Sequence, residues 1–343
     1  MVCGLTVTAI NYPQVFWTIG ALFEAALAWI VMPTLGWRAL LLFSAVPSIC
    51  LLLLPNSWVP ESPRWQAATG KNRVAVETLR SVAHTNQVEW TLGEYQDLVV
   101  TKARENDASF LDLFEDGYGK LTLVLWALWL SCTLLYYGII LVSTQIFEAH
   151  SAGHHHAAGP GCHELDADAY ARAFITTSAE IPSLVAAVLL VDRIGRRSTL
   201  VAAFAATAVG YALLIVTVGH PWYETMSIYL ARAAANCAFT VVYISTGEMY
   251  PTSIRSTGLG TASAMARIGG FTAPFISDIL FDADREGALL VFVLFAAATA
   301  VIAHELPETG GGGLPDSTSN TPMAATTPLS SRVEREEITL DDE

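Results

Sequence analysis

The sequence predicts an all-α membrane protein, a partial bundle of about eight transmembrane helices arranged two plus six. Three observations carry that prediction. Hydrophobic residues fill 53% of the 343 positions and charged residues only 15%, where soluble domains average about 25% charged. Apolar runs recur along the chain, several of them within the ~17–25 residues that carry a helix across ~30 Å of hydrocarbon. The turn Asp192-Arg193-Ile194-Gly195-Arg196-Arg197 joins two such runs directly. A chain that leaves a bilayer and re-enters at once needs a glycine in the turn, and cations there favour the cytoplasmic leaflet.

In order, the predicted spans are 14–34, 39–58, 121–147, 174–191, 198–218, 226–249, 258–280 and 287–304. The seventh carries Gly258, Gly260, Ala262, Ala266, Gly269 and Gly270, a small-residue composition suited to close helix packing. The connection between the second and third spans is long and polar. Within it, Val74, Val76, Leu79 and Val82 predict an amphipathic surface helix over 73–82, and 110–114 adds a second apolar patch. Residues 305–343 hold nine acids and two arginines, which supply −7 of the net charge of −14. That stretch is too poor in apolar residues to fold alone and is expected to be disordered. The expected organisation is thus 1–58 as the last two spans of an N-terminal half, 59–120 as a cytoplasmic central loop, 121–305 as a six-span C-terminal half, and 306–343 as an acidic cytoplasmic tail.

Eight spans place both termini on one side. With 192–197 inside, 60–120 and 251–255 are inside as well, and these inner segments carry eleven Lys/Arg against Arg38, Arg172 and Arg285 outside. This is the sense of the positive-inside rule, and both termini are expected to be cytoplasmic. Residues 1–8 lack the basic start of a secretory signal, so the first long apolar run is expected to act as its own signal anchor. Cys50, Cys132 and Cys237 lie in apolar spans, where a thiol behaves as a small hydrophobe. The 150–168 loop holds His154, His155, His156, Cys162 and His163 without closed-site spacing, so no metal site is expected. No basic patch points to nucleic acid. No nucleophile–base pair, phosphate loop or dinucleotide fingerprint is present, so no enzyme activity and no cofactor is expected.

Four tracts mark the inner face. Pro60-Glu61-Ser62-Pro63-Arg64 follows the second span and Pro307-Glu308-Thr309-Gly310 the eighth, the internal echo expected of a duplicated transporter. The third is the 192–197 turn, and the fourth is Gly247-Glu248-Met249-Tyr250-Pro251-Thr252-Ser253-Ile254-Arg255. With Phe16-Trp17-Thr18-Ile19-Gly20, Phe23-Glu24, residues 32–38, Tyr136-Tyr137-Gly138, Glu180-Ile181-Pro182 and Met265-Ala266-Arg267-Ile268-Gly269, they make the chain resemble the major facilitator superfamily over about 15–310. Within it, the resemblance is to sugar-porter-like and organic-ion-transporter-like proteins and, more narrowly, to the synaptic vesicle 2-related proteins. It implies a twelve-span fold of two halves, a central solute pathway and alternating access. It also implies that this chain begins at the family's fifth span, as a fragment or as a natural short form.

The inner charge cluster expected on these grounds is Asp192, Arg193, Gly195, Arg196, Arg197, Glu248, Arg255, Glu61, Arg64 and Glu308. Arg196, Arg197 and Arg255 are expected to pair with Glu248, Glu61 or Glu308 as an inner latch. Asp192 is expected to accept from the start of a helix near Pro13. Glu24, Glu180, Arg232 and Arg267 are ionisable within spans, where each costs ~2.5–3.5 kcal/mol at mid-membrane on insertion scales. With Tyr136, Tyr137, Asn236 and Tyr243 they form the expected substrate pathway, and Arg232, Asn236, Phe239 and Tyr243 share one helix face. An aromatic and polar lining with a buried arginine suits an organic anion or zwitterion. Glu24, Glu180 and Asp278 are the candidates for carrying a coupling proton. The functional expectation is secondary transport of a small organic solute across a plasma or vesicle membrane. Its rival is a short, non-transporting membrane protein that associates with a partner transporter subunit.

Overall fold

The computed structural model describes residues 2–53, 61–63, 66, 70–87, 110–115, 117–154, 166–251 and 254–308, with side chains omitted for 2–13 and 152–154. The rest of the 150–168 loop, with its remaining histidines and Cys162, lies outside these residues, as do Arg64 and the tail beyond Glu308. Two compact units are present, Met1–Pro33 with Ala108–Glu343, and Thr34–Asp107.

Helix α1 runs Val2–Leu52 and breaks at Gly36, whose φ of 73° and ψ of 177° lie outside helical space. The first two predicted spans fall on either side of this break. In the second unit, α2 (Asn72–Thr85) is the expected amphipathic helix. Its buried side is Ala75 and Val76 with half-buried Leu79 and Ala83, while Val74 and Val82 are exposed. Residues three, four and seven apart share a helix face; Val74 lies off that stripe, and Val82, seven residues from Ala75, lies on it yet is exposed near the helix end. The Thr78 hydroxyl donates to Gln66 Oε1 (3.1 Å), tying the helix to the segment before it.

In the first unit, a 3-10 turn at Phe110–Leu113 leads to α3 (Gly119–His154), α4 (Ala167–Ser178), α5 (Glu180–Ile194), α6 (Arg196–Val216), α7 (Pro221–Met249), α8 (Arg255–Pro274) and α9 (Arg285–Ala303). A π-helical turn Phe275–Leu280 and a short helical turn Phe281–Ala283 carry α8 onward. The fourth predicted span starts earlier than its apolar run, because α4 begins at Ala167 and meets α5 at Ala179.

Six described helices are long and apolar enough to cross a membrane: Gln14–Leu52, Gly119–Ser151, Ala167–Ile194, Arg196–Val216, Pro221–Met249 and Arg285–Ala303. The first holds two predicted spans. The seventh predicted span is helical but outside the six, because glycine, serine, threonine and Arg267 dilute its hydropathy.

The core of this unit lies between α3, α6, α7 and α9, built from Leu125, Leu128, Trp129, Leu135, Phe204, Tyr211 and Phe292. Tyr211 stacks on Phe292 at 4.8 Å and donates its hydroxyl to the Leu135 carbonyl (2.8 Å). That bond satisfies a buried phenol in an otherwise apolar layer. Helices α3 and α8 pack closely because Gly269 offers no side chain: a Cβ there would come 2.2 Å from the Leu130 carbonyl oxygen.

Candidate functional site

Polar side chains gather at three levels of the first unit. At the end carrying the 192–197 turn, α5 stops at Ile194, and Gly195 (φ 84°, ψ 173°) reverses the chain into α6. Here the four orphan N–H groups of a helix start need acceptors. Glu308 supplies two: Oε1 accepts from the Arg196 N–H (2.8 Å) and Oε2 from the Arg197 N–H (3.2 Å). The carboxylate sits where a Cβ at residue 195 would lie, within 2.5 Å. Glycine is required twice over, by φ and by this close approach.

The Arg196 side chain turns inward and is only 3% exposed. Its Nε and Nη2 donate to Glu248 Oε2 and Oε1 at 2.9 and 3.0 Å, a bidentate, charge-assisted pair between α6 and α7. Arg197 instead lies against the His304 ring, with Nη2 2.6 Å from Nε2. Arg255 donates through Nε to the Tyr250 carbonyl (3.1 Å), and its buried Nη2 makes no hydrogen bond among the described residues. Lys120 pairs with Glu305 at 2.6 Å on the surface. This exposed contact holds the Glu305 carboxyl below the usual glutamate range, first through the Lys120 hydrogen bond and then through its charge.

Several expected partners are not brought together. Asp192 and Arg193 are exposed, and their side chains make no hydrogen bond among the described residues. The helix start expected near Pro13 does not exist, because α1 is already helical from Val2. The role expected of Asp192, accepting from a helix N-terminus, is filled by Glu308 at α6. Glu61 belongs to the Thr34–Asp107 unit, where its carboxylate accepts from the Ser62 N–H (3.2 Å). Arg64 lies outside the described residues.

At the middle level, the Glu180 carboxylate is fully buried. Its Oε1 accepts from the Tyr136 hydroxyl (2.6 Å) and from Arg232 Nη2 and Nε (2.9 and 3.2 Å). Its Oε2 is buried and has no hydrogen-bond partner among the described residues. Three residues on, Ser183 Oγ accepts from Asn236 Nδ2 (2.7 Å). The spacings 180/183 and 232/236 thus set two polar rungs between α5 and α7. Beside them Tyr136 stacks on Phe239 (6.1 Å), Phe239 meets Tyr243 (5.2 Å), and Tyr243 meets Trp129 (4.3 Å). Tyr137, Tyr243 and Arg267 are exposed on this side, and Glu24 is exposed on α1. Asp278, half-buried in the π turn, accepts from Gln145 Nε2 (3.4 Å).

The far end holds a third cluster that the sequence reading missed. Glu224, fully buried in the first turn of α7, accepts from Arg285 Nη2 (2.7 Å) and the Gly219 N–H (3.3 Å), and its Oε2 lies 3.0 Å from His150 Nε2. Arg172 joins His150 (3.2 Å to Nδ1) to Asp168 on α4. The available sign was an acid and a base, Glu224 and Arg285, both in the first turn of a helix. Among the described residues no group of three metal-ligating side chains is assembled.

Comparison with known proteins gives these clusters a context. Residues 5–316 match the family model described as "Sugar (and other) transporter". The synaptic vesicle 2-related protein of Xenopus laevis is 35% identical over 313 residues, 89% of this chain and 56% of that protein. The organic cation/carnitine transporter 7 of Arabidopsis thaliana is 31% identical, again over 89% of this chain and over 67% of its own length. The chain therefore spans a little over half of the synaptic vesicle 2-related protein it matches. Among solved structures, the proton:xylose symporter XylE, a major facilitator superfamily protein bound to 6-bromo-6-deoxy-D-glucose, shares the fold. Its TM-score is 0.55 at 20% identity, over 91% of this chain and 65% of the symporter. A chain whose described elements are all helical, with several membrane-length apolar helices and a match to this family along nearly its whole length, is an integral multi-pass membrane protein and belongs to the sugar (and other) transporter family of the major facilitator superfamily.

Proposed function

We propose that the protein is a secondary active transporter that moves a small organic solute by alternating access, with Glu180 as the proton-carrying group. The observation that carries this reading is the buried Glu180–Arg232–Tyr136 cluster with one carboxylate oxygen left open. Burying a charge is costly unless it is fully paired, and intramembrane ionisable residues are retained for function. Protonating Glu180 removes its charge and loosens its hold on Arg232, which frees α5 and α7 to move apart. The names of relatives, an organic cation/carnitine transporter and a proton:xylose symporter, agree with this general chemistry and leave the solute open.

The Arg196–Glu248 pair and the Glu308 cap serve as the inner latch in this reading, closed when the pathway faces outward and broken when it faces inward. The test is a solute-uptake screen in proteoliposomes, run with and without an inward proton gradient. Glu180→Gln is expected to retain solute exchange at equal concentrations and to lose gradient-driven accumulation. Accumulation that depends neither on the gradient nor on Glu180 would remove proton coupling from the proposal. A chain that takes up nothing and co-purifies with a longer transporter would support the associating-subunit reading instead.

A further inference from the structure

At the end opposite the 192–197 turn, His150 on α3 stands between two ion pairs that are each already neutral. Glu224 on α7 holds Arg285 of α9 (2.7 Å) and the Gly219 N–H, while Asp168 holds Arg172 one turn along α4 (3.0 Å to Nε). The imidazole joins the two pairs, with Nδ1 3.2 Å from Arg172 Nη1 and Nε2 3.0 Å from Glu224 Oε2. A guanidinium can only donate, so Nδ1 is the accepting nitrogen and Nε2 carries the N–H beside the carboxylate. One neutral tautomer therefore ties α3 to α4 and to α7 at once.

A second proton on the ring acts oppositely on these two ties. It turns Nδ1 into a donor facing a donor and sets a positive charge beside the Arg172 guanidinium. On the other side the same charge strengthens the contact with Glu224. Arg172 keeps Asp168 as its counter-charge after the imidazole lets go, so release leaves no buried cation unpaired. Asp166 lines a cleft of about 220 Å³ with His150, Asp168 and Arg172, and the ring is 19% exposed, within reach of solvent protons. Glu148 is exposed on the opposite side of α3, Glu286 is exposed beside Arg285, and the His220 ring lies against Tyr223 (5.9 Å). Helix α4 passes at Ala179 directly into α5, whose first residue is Glu180. The tie at Arg172 thus steadies the helix pair that carries the two polar rungs.

We propose that His150 is a proton switch at this end of the unit: neutral, it clasps α3 to α4, and protonated, it releases Arg172 while keeping its hold on Glu224. The start of α4 is then free to swing away from α3. Imidazole suits the task, since a free one titrates near pH 6.5 whereas free carboxylates titrate near about 4. Acid on this face therefore loosens α4 before any of the surrounding acids loses its charge.

The experiment places spin labels at Ala149→Cys and Ala167→Cys, both exposed, in a cysteine-free full chain held in lipid nanodiscs with one buffer on both faces. The distance between the labels is read from pH 8 to pH 5. The separated population is expected to rise from under about a tenth to over about half as the imidazole titrates. His150→Gln, whose amide accepts and donates without titrating, is expected to keep the short distance throughout, which also certifies that the variant folds. His150→Lys, a fixed cation with no acceptor, is expected to show the long distance already at pH 8. Glu180→Gln and His220→Gln are expected to respond as the parent does, so failure of proton coupling at Glu180 leaves the switch standing. A parent distance that ignores pH, a short distance in His150→Lys, or loss of the response in Glu180→Gln or His220→Gln overturns the switch. So does a response that survives in His150→Gln, which would assign it to another group, such as His154, His155, His156 or His163 of the adjoining loop.

Discussion

Three glutamates near the turn end have three different physical situations, and their consequences are ordered by what each carboxylate holds. Glu248 is bound bidentately to an arginine that is only 3% exposed. Replacing it with glutamine leaves a buried guanidinium without a counter-charge, a loss of roughly 3–5 kcal/mol. Glu308 caps the α6 start through backbone N–H groups, where a negative charge adds about 0.3–1 kcal/mol and up to ~2 when partly buried. Glu305 is on the surface with Lys120. Because its carboxyl is held below the ordinary range, its contribution is present above that range and disappears as pH falls through the lowered value. Solvent screening makes that contribution small. Melting temperatures in detergent at neutral pH are therefore expected to fall most for Glu248→Gln, less for Glu308→Gln, and not measurably for Glu305→Gln. A Glu305→Gln loss equal to that of Glu248→Gln would contradict this ordering. The sequence singled out Glu248, Glu308 and Arg196 because acids add little to topology and needed another reason to be there. It did not tell which acid meets which base. Glu308 engages backbone rather than guanidinium, and only the Gly195 conformation makes that approach possible.

At the scale of elements, hydropathy and periodicity predicted most helices, and the departures have local causes. The gap left between the first two predicted spans, 34 to 39, holds the break at Gly36, whose φ is 73°. The fourth span extends back to Ala167 because Asp168 and Arg172, one turn apart, pair along its polar first turns. Helix α8 escapes the hydropathy criterion because its residues are small rather than oily, yet that smallness sets its position. A Cβ at Gly269 would meet the Leu130 carbonyl oxygen at 2.2 Å, whereas one at Gly260 would meet nothing within 4 Å. Backbone cannot yield as a flexible side-chain tip does, so Gly269→Ala is expected to push α3 and α8 apart and to lower both stability and uptake. Gly260→Ala is expected to be neutral or slightly stabilising, by up to about 1 kcal/mol, because alanine favours the helix. Thermal melts of the two variants decide it, and equal effects would contradict the packing argument.

For the whole first unit, α7 links the levels. It pairs at its start through Glu224 with Arg285 of α9, midway through Arg232 with Glu180 of α5, and at its end through Glu248 with Arg196 of α6. Of these, the sequence offered Glu248 as one of three acids for Arg196, and the other two partnerships were not legible, because charges 50 or more positions apart meet only once the helices are packed. Glu224 and Glu248 are separated by 24 residues, about 36 Å of helix, somewhat more than the ~30 Å of bilayer hydrocarbon. One cluster must then lie near each membrane face, with the Glu180 cluster between them. From the cations of the 192–197 turn we propose that the Glu248 end faces the cytoplasm. That orientation predicts opposite labelling at two exposed positions, Ser198 beside the turn and Glu286 beside Arg285. In a cysteine-free background expressed at the cell surface, Glu286→Cys is expected to react with an impermeant maleimide in intact cells. Ser198→Cys is expected to react only after permeabilisation. The reverse pattern would invert the molecule, turning the proposed inner latch into an outer one. Labelling of both positions in intact cells would mean that α7 does not span the membrane between its two end charges, and rigid rocking of the unit about the Glu180 cluster would lose its basis.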